Sequence, residues 1–243
     1  MSRTTPPTTA PGADQTGADA ESAIIRVVGA SKTFTQGDEE ITALHPTDLT
    51  IGAGQFVAIL GPSGSGKSTL LTIMGGLRAP SAGEVLITGR PFSTLPEKKR
   101  ARIRHRSIGF ILQAASLVPF LTVEDQLLHH DRVERRRPRP DRADELFDAL
   151  GIAKHRRKYP ADLSGGERQR AAIAAALYHD PELILADEPT AALDSHRAMD
   201  VATILADLTH ERAKATVMVT HDERLIAVCD RVLVMEDGVL TER

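Results

Sequence analysis

Short apolar runs recur along the chain from residue 23 onward, and most of them are bounded by glycine or polar residues. Continuous apolar runs without helical periodicity are typical of strands buried in a sheet. We therefore predict strands at 23–28, 49–51, 55–60, 83–88, 108–112, 182–187, 215–220 and 231–238. The uninterrupted run LILA within 182–187 favours a central parallel strand for that segment.

Other segments place apolar residues three and four positions apart, which is the spacing of one helix face. Segment 195–210 shows this pattern most clearly. Its apolar face consists of Val201, Ile204, Leu205 and Leu208. Further helices are predicted to begin near Lys67 and to occupy 122–137, 140–151 and 167–180. Gly151 suits a helix end, because glycine readily takes the left-handed conformation found there.

Strands and helices alternate at both ends of the chain, whereas the middle is helical. This order predicts an α/β fold whose core carries a helical subdomain at about 114–163. The chain of 243 residues can form one such domain, which we place at 23–243. Residues 1–22 are rich in Thr, Pro, Ala, Gly and Asp and contain no apolar stretch. A disordered tail is therefore predicted there, and no secretory signal.

Composition narrows the classes of function. The 30 Lys and Arg residues and 33 Asp and Glu residues give a net charge of −3, so no general attraction for polyanions is expected. Aromatic residues make up only 3% of the chain, which argues against a stacking surface for nucleic acid. Cys229 is the only cysteine, so an intrachain disulfide is excluded. No apolar run is long enough to predict a membrane-spanning helix.

The segment GPSGSGKST at 61–69 lies between a predicted strand and a predicted helix. In that context G-x-x-x-x-G-K-[ST] indicates a phosphate-binding loop, and Gly61, Gly66, Lys67 and Ser68 occupy its required positions. Glycine lets backbone N–H groups turn toward phosphate oxygens, and the helix start adds its positive dipole end. The alternative is a glycine-rich turn that contains an incidental lysine.

Two acidic residues end the predicted strand at 182–187. Asp187 would lie at the carboxyl edge of the sheet, where ligands of α/β proteins bind. Glu188 follows directly, and adjacent residues at a strand end point apart. One carboxylate could therefore hold a metal ion while the other faces a water molecule.

A second anion-binding helix start is predicted in LSGGERQR at 163–170. Ser164 is a candidate N-cap, and Gly165 and Gly166 leave the following N–H groups uncovered. One nucleotide needs only one phosphate loop. The second site is explained if it covers a nucleotide bound by another copy of the chain.

The motifs GPSGSGKST, LSGGERQR, LILADEPTAALD and VTHD, in this order, resemble the ATP-binding subunit of an ABC transporter. The resemblance covers about 23–243, and LSGGERQR separates this family from other phosphate-loop ATPases. It implies a phosphate-loop ATPase core with an antiparallel β subdomain and a helical subdomain. It also implies that ATP and Mg²⁺ bind.

The resemblance implies roles for single residues. Its ATP-binding set is Phe34, Gly61, Pro62, Ser63, Gly64, Ser65, Gly66, Lys67, Ser68, Thr69, Ser164, Gly165, Gly166 and Asp194. Its metal-binding set is Ser68, Gln113 and Asp187. Its catalytic set is Lys67, Gln113, Glu188 and His221, with Glu188 as the general base. Phe34 would stack on adenine, although an ordinary core position is the alternative for it. Because Glu188 and His221 are present, hydrolysis is expected rather than binding alone.

Other segments are similar to one branch of the family. LLTIMGGL, SLVPFLTVEDQL and ILADEPTAALDSHRA resemble the lipoprotein-releasing and macrolide-export branch, and within it the ATPase of bacterial haem exporters. That branch implies a second copy and an integral membrane permease as partners, a place at the cytoplasmic face of the membrane, and no nucleic acid. Two alternatives stay open: a soluble family member that acts on DNA or ribosomes, and a nucleotide-binding regulatory module without turnover.

Two further segments each allow two interpretations. SLVPFLTVEDQL follows Gln113 and offers apolar side chains either to a groove for a permease helix or to the subdomain core. These side chains are Leu117, Val118, Phe120 and Leu121. The basic stretches at 132–140 and 154–158 are either solvated surface or contacts for acidic lipid head groups or an acidic partner loop.

Overall fold

The computed structural model describes residues 23–37 and 39–243, so the tail predicted at 1–22 lies outside the described residues. The strands are β1 (Ala23–Gln36), β2 (Glu39–Gly52), β3 (Gln55–Leu60), β4 (Ala82–Ile87), β5 (Arg90–Pro91), β6 (Ile108–Ile111), β7 (Leu183–Asp187), β8 (Ala215–Val219), β9 (Arg231–Glu236) and β10 (Val239–Glu242). The helices are α1 (Lys67–Met74), α2 (Glu97–Ser107), α3 (Val123–Val133), α4 (Pro140–Ala149), α5 (Gly165–Tyr178) and α6 (Ser195–Glu211). Short 3₁₀ segments occupy Ala153–His155, Pro160–Asp162 and Glu223–Val228.

The strands form two sheets. The smaller sheet has the order β2-β1-β4-β5, and its neighbouring strands run antiparallel. The larger sheet has the order β10-β9-β3-β8-β7-β6, in which only the β10–β9 pair is antiparallel. Because β3, β6, β7 and β8 run in the same direction, their carboxyl ends meet along one edge of the sheet. That edge carries most of the predicted site residues.

Two apolar clusters hold the layers together. One joins the small sheet and α1 to one side of the central strands, and the other joins α3, α4, α5 and α6 to the opposite side. In β8 every residue is buried, as expected for a parallel strand covered on both faces. Gly75, directly after α1, lets this helix approach the sheet, because a Cβ there would lie 2.0 Å from the Phe110 ring. The central strands are therefore fixed on both faces.

The region predicted as a helical insert contains α3, α4 and two of the 3₁₀ segments. Leu127 of α3 and Leu146 and Phe147 of α4 are buried in the cluster that includes α5. The α4 helix ends at Ala149, and Gly151 follows in the left-handed conformation with φ 61°. A glycine at this position ends the helix without steric strain, as its sequence position predicts.

Several element boundaries differ from the predictions. The helix predicted at 122–137 ends at Val133. Soon after it, Arg135 has a positive φ of 54°, and Pro138 disfavours helical backbone at residue 137. Strands β1 and β2 extend far beyond 23–28 and 49–51 because they pair along most of their length. The α2 helix has no buried residue and therefore no apolar stripe that could have predicted it.

Candidate functional site

The phosphate loop connects the end of β3 to the first residue of α1. Its path passes so close to other backbone that two positions require glycine. A Cβ on Gly61 would lie 2.1 Å from the Met235 carbonyl oxygen, and one on Gly66 would lie 2.4 Å from the Ala43 carbonyl oxygen. Both glycines also have positive φ angles, of 148° and 107°. The local sequence thus allows a close turn that no larger residue could adopt.

Lys67 is the first residue of α1, and its side chain bends back over the loop. Its Nζ donates to the carbonyl oxygens of Gly61 at 2.7 Å and Pro62 at 2.6 Å. The first N–H groups of a helix lack carbonyl partners within that helix, so those of α1 can bind an anion beside this ammonium group. The loop therefore combines a full positive charge with backbone donors.

A candidate metal site lies where α1 meets the end of β7. The Ser68 hydroxyl donates to Oδ1 of Asp187 at 3.2 Å, and Gln113 lines the same cavity. Hydroxyl, carboxylate and amide oxygens are the hard ligands that Mg²⁺ takes, usually together with phosphate and water. The described residues contain no cluster of three or more His, Cys, Asp or Glu with metal-binding geometry. A single carboxylate at this position fits Mg²⁺ held jointly with a nucleotide.

Glu188 and His221 form a pair next to that site. Oε1 of Glu188 lies 2.8 Å from Nδ1 of His221. Glu188 has φ 47°, an unusual conformation for a residue with a side chain, and its N–H donates to the Val219 carbonyl oxygen at 2.9 Å. The pairing of Asp187 with Val219 across β7 and β8 brings the two strand ends together. The two acids consequently have different neighbours, as predicted for adjacent residues at a strand end.

These groups surround one cavity of about 440 Å³. Its lining residues are Ala43, Gly61, Ser63, Gly64, Gly66, Lys67, Ser68, Thr69, Gln113, Asp187, Glu188, Val219 and His221. The structure therefore brings the loop, the acidic pair, Gln113 and His221 to one place. Sequence reasoning did not identify Ala43 and Val219, because no polar side chain marks either position.

Some predicted site residues do not line this cavity. Pro62 and Ser65 belong to the loop, but Ser65 is buried and its Oγ has no hydrogen-bond partner among the described residues. Phe34 lies outside the lining, and its ring faces cations: the Arg78 guanidinium carbon is 4.9 Å from its centroid and the Lys32 ammonium nitrogen is 5.5 Å away. Phe34 is half-buried, so it is not a fully buried core residue.

The remaining predicted set, Ser164, Gly165, Gly166 and Asp194, also lies outside the cavity. Ser164 caps α5: its Oγ accepts from the Glu167 N–H at 3.3 Å, and its own N–H donates to Oε2 of Glu167 at 2.8 Å. Asp194 caps α6 by accepting from the Arg197 N–H, and this hydrogen bond lowers the pKa of the Asp194 carboxyl. Ser164 and Asp194 are both exposed, so either could contact another molecule.

The segment after Gln113 exposes one aromatic side chain. Phe120 is 77% exposed, so of the two interpretations the subdomain core does not apply to this residue. Leu117 is partly buried and packs against the cluster that contains α3. Phe120 is therefore free for contact with another protein. None of the described helices has the length and apolar character needed to cross a membrane.

Comparisons with known proteins identify relatives of most of the chain. A protein-family profile described as ABC transporter matches residues 44–191. A provisionally named hemin import ATP-binding protein, HrtA, of Staphylococcus haemolyticus is 40% identical over 210 residues, which cover 86% of this chain and 95% of that protein. The lipoprotein-releasing system ATP-binding protein LolD 1 of Rhodopseudomonas palustris is 39% identical over 219 residues, with coverages of 88% and 97%. The macrolide export ATP-binding/permease protein MacB 2 of Aeromonas hydrophila is 40% identical over 223 residues, which cover 90% of this chain but 34% of that longer protein.

Solved structures share the fold. Two dimeric structures of the ATP-binding cassette MJ0796, one of them a post-hydrolysis state bound to ADP and Pi, superpose with a TM-score of 0.84 and 36% identity. Each comparison covers 90% of this chain and 98% of the cassette. The cassette cbiO1 of Clostridium perfringens superposes with a TM-score of 0.78 and 29% identity, over 91% of this chain and 88% of the cassette. The predicted fold class, an ATPase core with antiparallel β and helical subdomains, is confirmed.

Proposed function

Because this chain belongs to the ABC transporter family and is an ATP-binding ATPase subunit of it, we propose that two copies close around ATP and drive a membrane permease. One observation carries the proposal. The chain has two helix starts suited to anions, yet Lys67 lines the cavity and Ser164 does not. A nucleotide held by the phosphate loop would leave Ser164 available to the nucleotide of a second copy.

Within one copy, the phosphate loop would hold the β- and γ-phosphates. The ammonium group of Lys67 would exchange its contacts with the Gly61 and Pro62 carbonyls for phosphate oxygens, which carry full negative charge. The uncovered N–H groups of α1 would bind the same oxygens. For Phe34 we retain the adenine-stacking role, which requires Arg78 to leave the ring face or to share it with the base.

The metal and water positions follow from the acidic pair. Ser68, Gln113 and Asp187 would hold Mg²⁺, which would supply positive charge to the phosphate oxygens. Glu188 would accept the proton of the attacking water on Oε2, because its Oε1 is engaged by His221. His221 is 74% exposed on its side chain and could therefore turn to the γ-phosphate.

The second copy would complete the site with the start of its α5. Ser164, Gly165 and Gly166 would present a hydroxyl and uncovered N–H groups to the γ-phosphate, and Asp194 would lie at the same interface. Gly166 lies near the residue before Asp194, because a Cβ on Gly166 would lie 3.1 Å from the Leu193 side chain. This proximity supports a common interface for Gly166 and Asp194. The related cassette MJ0796 has been solved as a dimer, which is consistent with this arrangement.

The partner would be an integral membrane permease, and the subunit would lie on the cytoplasmic face of the membrane through that contact. The relative MacB 2 is named as an ATP-binding/permease protein, and this chain matches only 34% of it, whereas it covers 95% of HrtA. The permease named in that relative is the kind of partner that we propose here. The exposed Phe120 is our candidate contact with that chain.

The transported compound and the direction of transport are proposed from the names of the relatives. Two of the relatives are named for lipoprotein release and macrolide export, and the third for hemin import. We propose outward transport of a hydrophobic compound, with haem as the first compound to test. These relatives and cassette structures give no support to the alternative that acts on DNA or ribosomes.

The proposal predicts that ATP causes dimerisation through Ser164. On a Glu188→Gln background, which would slow hydrolysis, ATP with Mg²⁺ should convert the subunit to a dimer in size-exclusion chromatography with light scattering. Adding Ser164→Arg should keep ATP binding to the monomer and abolish the dimer. Ser116→Arg, at an exposed serine beside Gln113, is the matched control and should dimerise normally. Dimers of the Ser164→Arg protein with unchanged ATP dependence would contradict the shared site.

A further inference from the structure

A buried histidine lies directly behind the Ser164 cap. His155 ends the 3₁₀ segment Ala153–His155 and is only 5% exposed. Its main chain is fixed on both sides, because its N–H donates to the Ile152 carbonyl at 2.8 Å and its carbonyl accepts from Lys158 at 2.9 Å. Nε2 of its ring lies 3.1 Å from Oε1 of Glu167. The short segment between α4 and α5 thus contacts Glu167, whose side chain completes the Ser164 cap of α5.

Each carboxylate oxygen of Glu167 has a different neighbour. Oε2 accepts the Ser164 N–H at 2.8 Å, and Oε1 faces His155. The hydrogen bond from the Ser164 N–H lowers the pKa of the Glu167 carboxyl, which favours the carboxylate form. Rotation of this carboxylate would break its hydrogen bond with Ser164 and move Oε1 away from His155. Its orientation then determines where the Ser164 backbone lies.

The His155 ring depends on Glu167 for its polar contact. Within the described part of the chain, neither ring nitrogen makes a hydrogen bond, and the 3.1 Å contact to Glu167 has an unfavourable angle. Burial lowers the pKa of His155, and the nearby Glu167 carboxylate opposes that effect. A neutral ring with its proton on Nε2 can satisfy this carboxylate after a small rotation. An apolar side chain at 155 could not.

The cap also fixes the direction of the Ser164 hydroxyl. Oγ accepts the Glu167 N–H at 3.3 Å, so one lone pair is directed at the helix. The hydroxyl proton must then point elsewhere, because a hydroxyl donates and accepts in different directions. Since Ser164 is exposed, its proton is available to an anion outside the chain. This geometry prepares Ser164 as a donor.

We propose that His155 is a positioning residue for Ser164. By holding the Glu167 carboxylate, it would fix the cap that presents the Ser164 hydroxyl to a phosphate bound by a second copy. This inference rests on the proposed function and adds to it a residue that never touches the nucleotide. It links the segment after α4 to the strength of ATP-driven dimerisation.

The test measures ATP-driven dimerisation on the Glu188→Gln background for His155→Leu and His155→Gln. Losing one such contact should weaken each site about 3- to 10-fold. Because a dimer of identical chains has two sites, the association constant should fall roughly 10- to 100-fold for His155→Leu. His155→Gln, whose amide can still donate to Glu167, should recover most of that loss. ATP affinity of the monomer, measured with a fluorescent ATP analogue, should not change.

Two controls separate positioning from general destabilisation. Ile152→Ala removes a fully buried side chain from the same segment without touching Glu167, so it should lower the melting temperature but not dimerisation. In a double-mutant cycle, Glu167→Gln should make the His155→Leu effect much smaller. If His155→Leu leaves dimerisation unchanged, or if Ile152→Ala weakens it equally, the positioning role is wrong. If Ser164→Arg also dimerises normally, the proposed function itself fails.

Discussion

At the scale of single residues, the two adjacent acids at the end of β7 have different contacts. Asp187 accepts from Ser68, whereas the next residue, Glu188, reverses its backbone to φ 47° and meets His221. This strained turn costs about 1–3 kcal/mol, which the hydrogen bond from the Glu188 N–H to β8 helps to offset. Strain retained at such a position favours a functional explanation.

Glu188→Gln tests the proposed general base. The amide cannot accept a proton from water, so hydrolysis should slow by about 10²-fold or more. ATP and Mg²⁺ binding should persist because the phosphate loop, Ser68 and Asp187 are unchanged. Phosphate release in a coupled assay and equilibrium nucleotide binding measure the two effects. Near-normal turnover would exclude Glu188 as the base.

Gly61→Ala tests the close approach in the phosphate loop. The new Cβ would meet the Met235 carbonyl of β9, which is backbone and cannot turn aside. Gly64→Ala is the matched control, because Gly64 also has a positive φ, of 83°, but no atom of the part of the chain that the structure describes lies within 4 Å of its Cβ position. Denaturant unfolding and ATP binding should show a clearly larger loss for Gly61→Ala. Equal losses would mean that backbone conformation alone matters at both positions.

At the scale of elements, three parallel imidazoles join α2, α3 and the residue after α5. The ring centroids of His105 and His130 are 3.9 Å apart and those of His130 and His179 are 4.3 Å apart, with interplanar angles of 7° and 9°. Charged and titratable groups around the stack are Arg106, His129, Asp131, Glu134, Arg136 and Arg139. Burial lowers the pKa of all three rings, and that of His179 to about 3. Neutral rings therefore hold this junction together.

The stack predicts a loss of stability in acid. A folded-state pKa below the ordinary 6.5 means that the unfolded chain binds the proton first, so stability falls as pH drops from 6.5 toward about 3. For His179 the loss between pH 6.5 and 4.5 is about 2 to 3 kcal/mol. His179→Phe should reduce this dependence, whereas His196→Phe, at an exposed position, should not. Denaturant midpoints across this pH range measure the dependence of stability on pH. If the midpoints of the two variants change equally with pH, the stack does not have this role.

Phe120→Asp tests the proposed contact with a permease. Because Phe120 is exposed, the substitution should change the free energy of unfolding by no more than about 0.5 kcal/mol. Assembly with the permease, or the coupling of ATPase activity to it, should be lost. Leu77→Asp, another exposed apolar position, is the control and should assemble normally. An unfolded Phe120→Asp subunit, or normal assembly and coupling, would argue against this contact.

The sequence predicted those elements whose pattern reflects burial or a required motif. Continuous apolar runs indicated the central strands, and the spacing of glycines and lysine located the phosphate loop. The α2 helix escaped prediction because none of its residues is fully buried, so its sequence has no apolar period. Ala43 escaped because its contribution is a backbone carbonyl beside Gly66, which any residue could supply. Long-range backbone approaches have no local sequence signal.

At the scale of the whole molecule, the two helix starts define the central claim. The start of α1 faces the cavity, and the start of α5 is exposed outside it. Triphosphate charge left uncovered would repel an approaching copy, so closure requires Lys67, Mg²⁺ and the second helix dipole to offset it. Two copies arranged head to tail would satisfy this requirement at both sites. Neither site would be complete in one chain.

The most direct measurement mixes two inactive proteins on the Glu188→Gln background. Lys67→Ala damages the phosphate loop and Ser164→Arg damages the α5 start, so neither homodimer should trap nucleotide. A mixed dimer contains one site with both lesions and one site with an intact Lys67 and an intact Ser164. Labelled ATP should therefore be occluded at one nucleotide per mixed dimer after gel filtration. No occlusion, with mixed dimers shown to form, would contradict the shared site and remove the basis for closure driven by ATP.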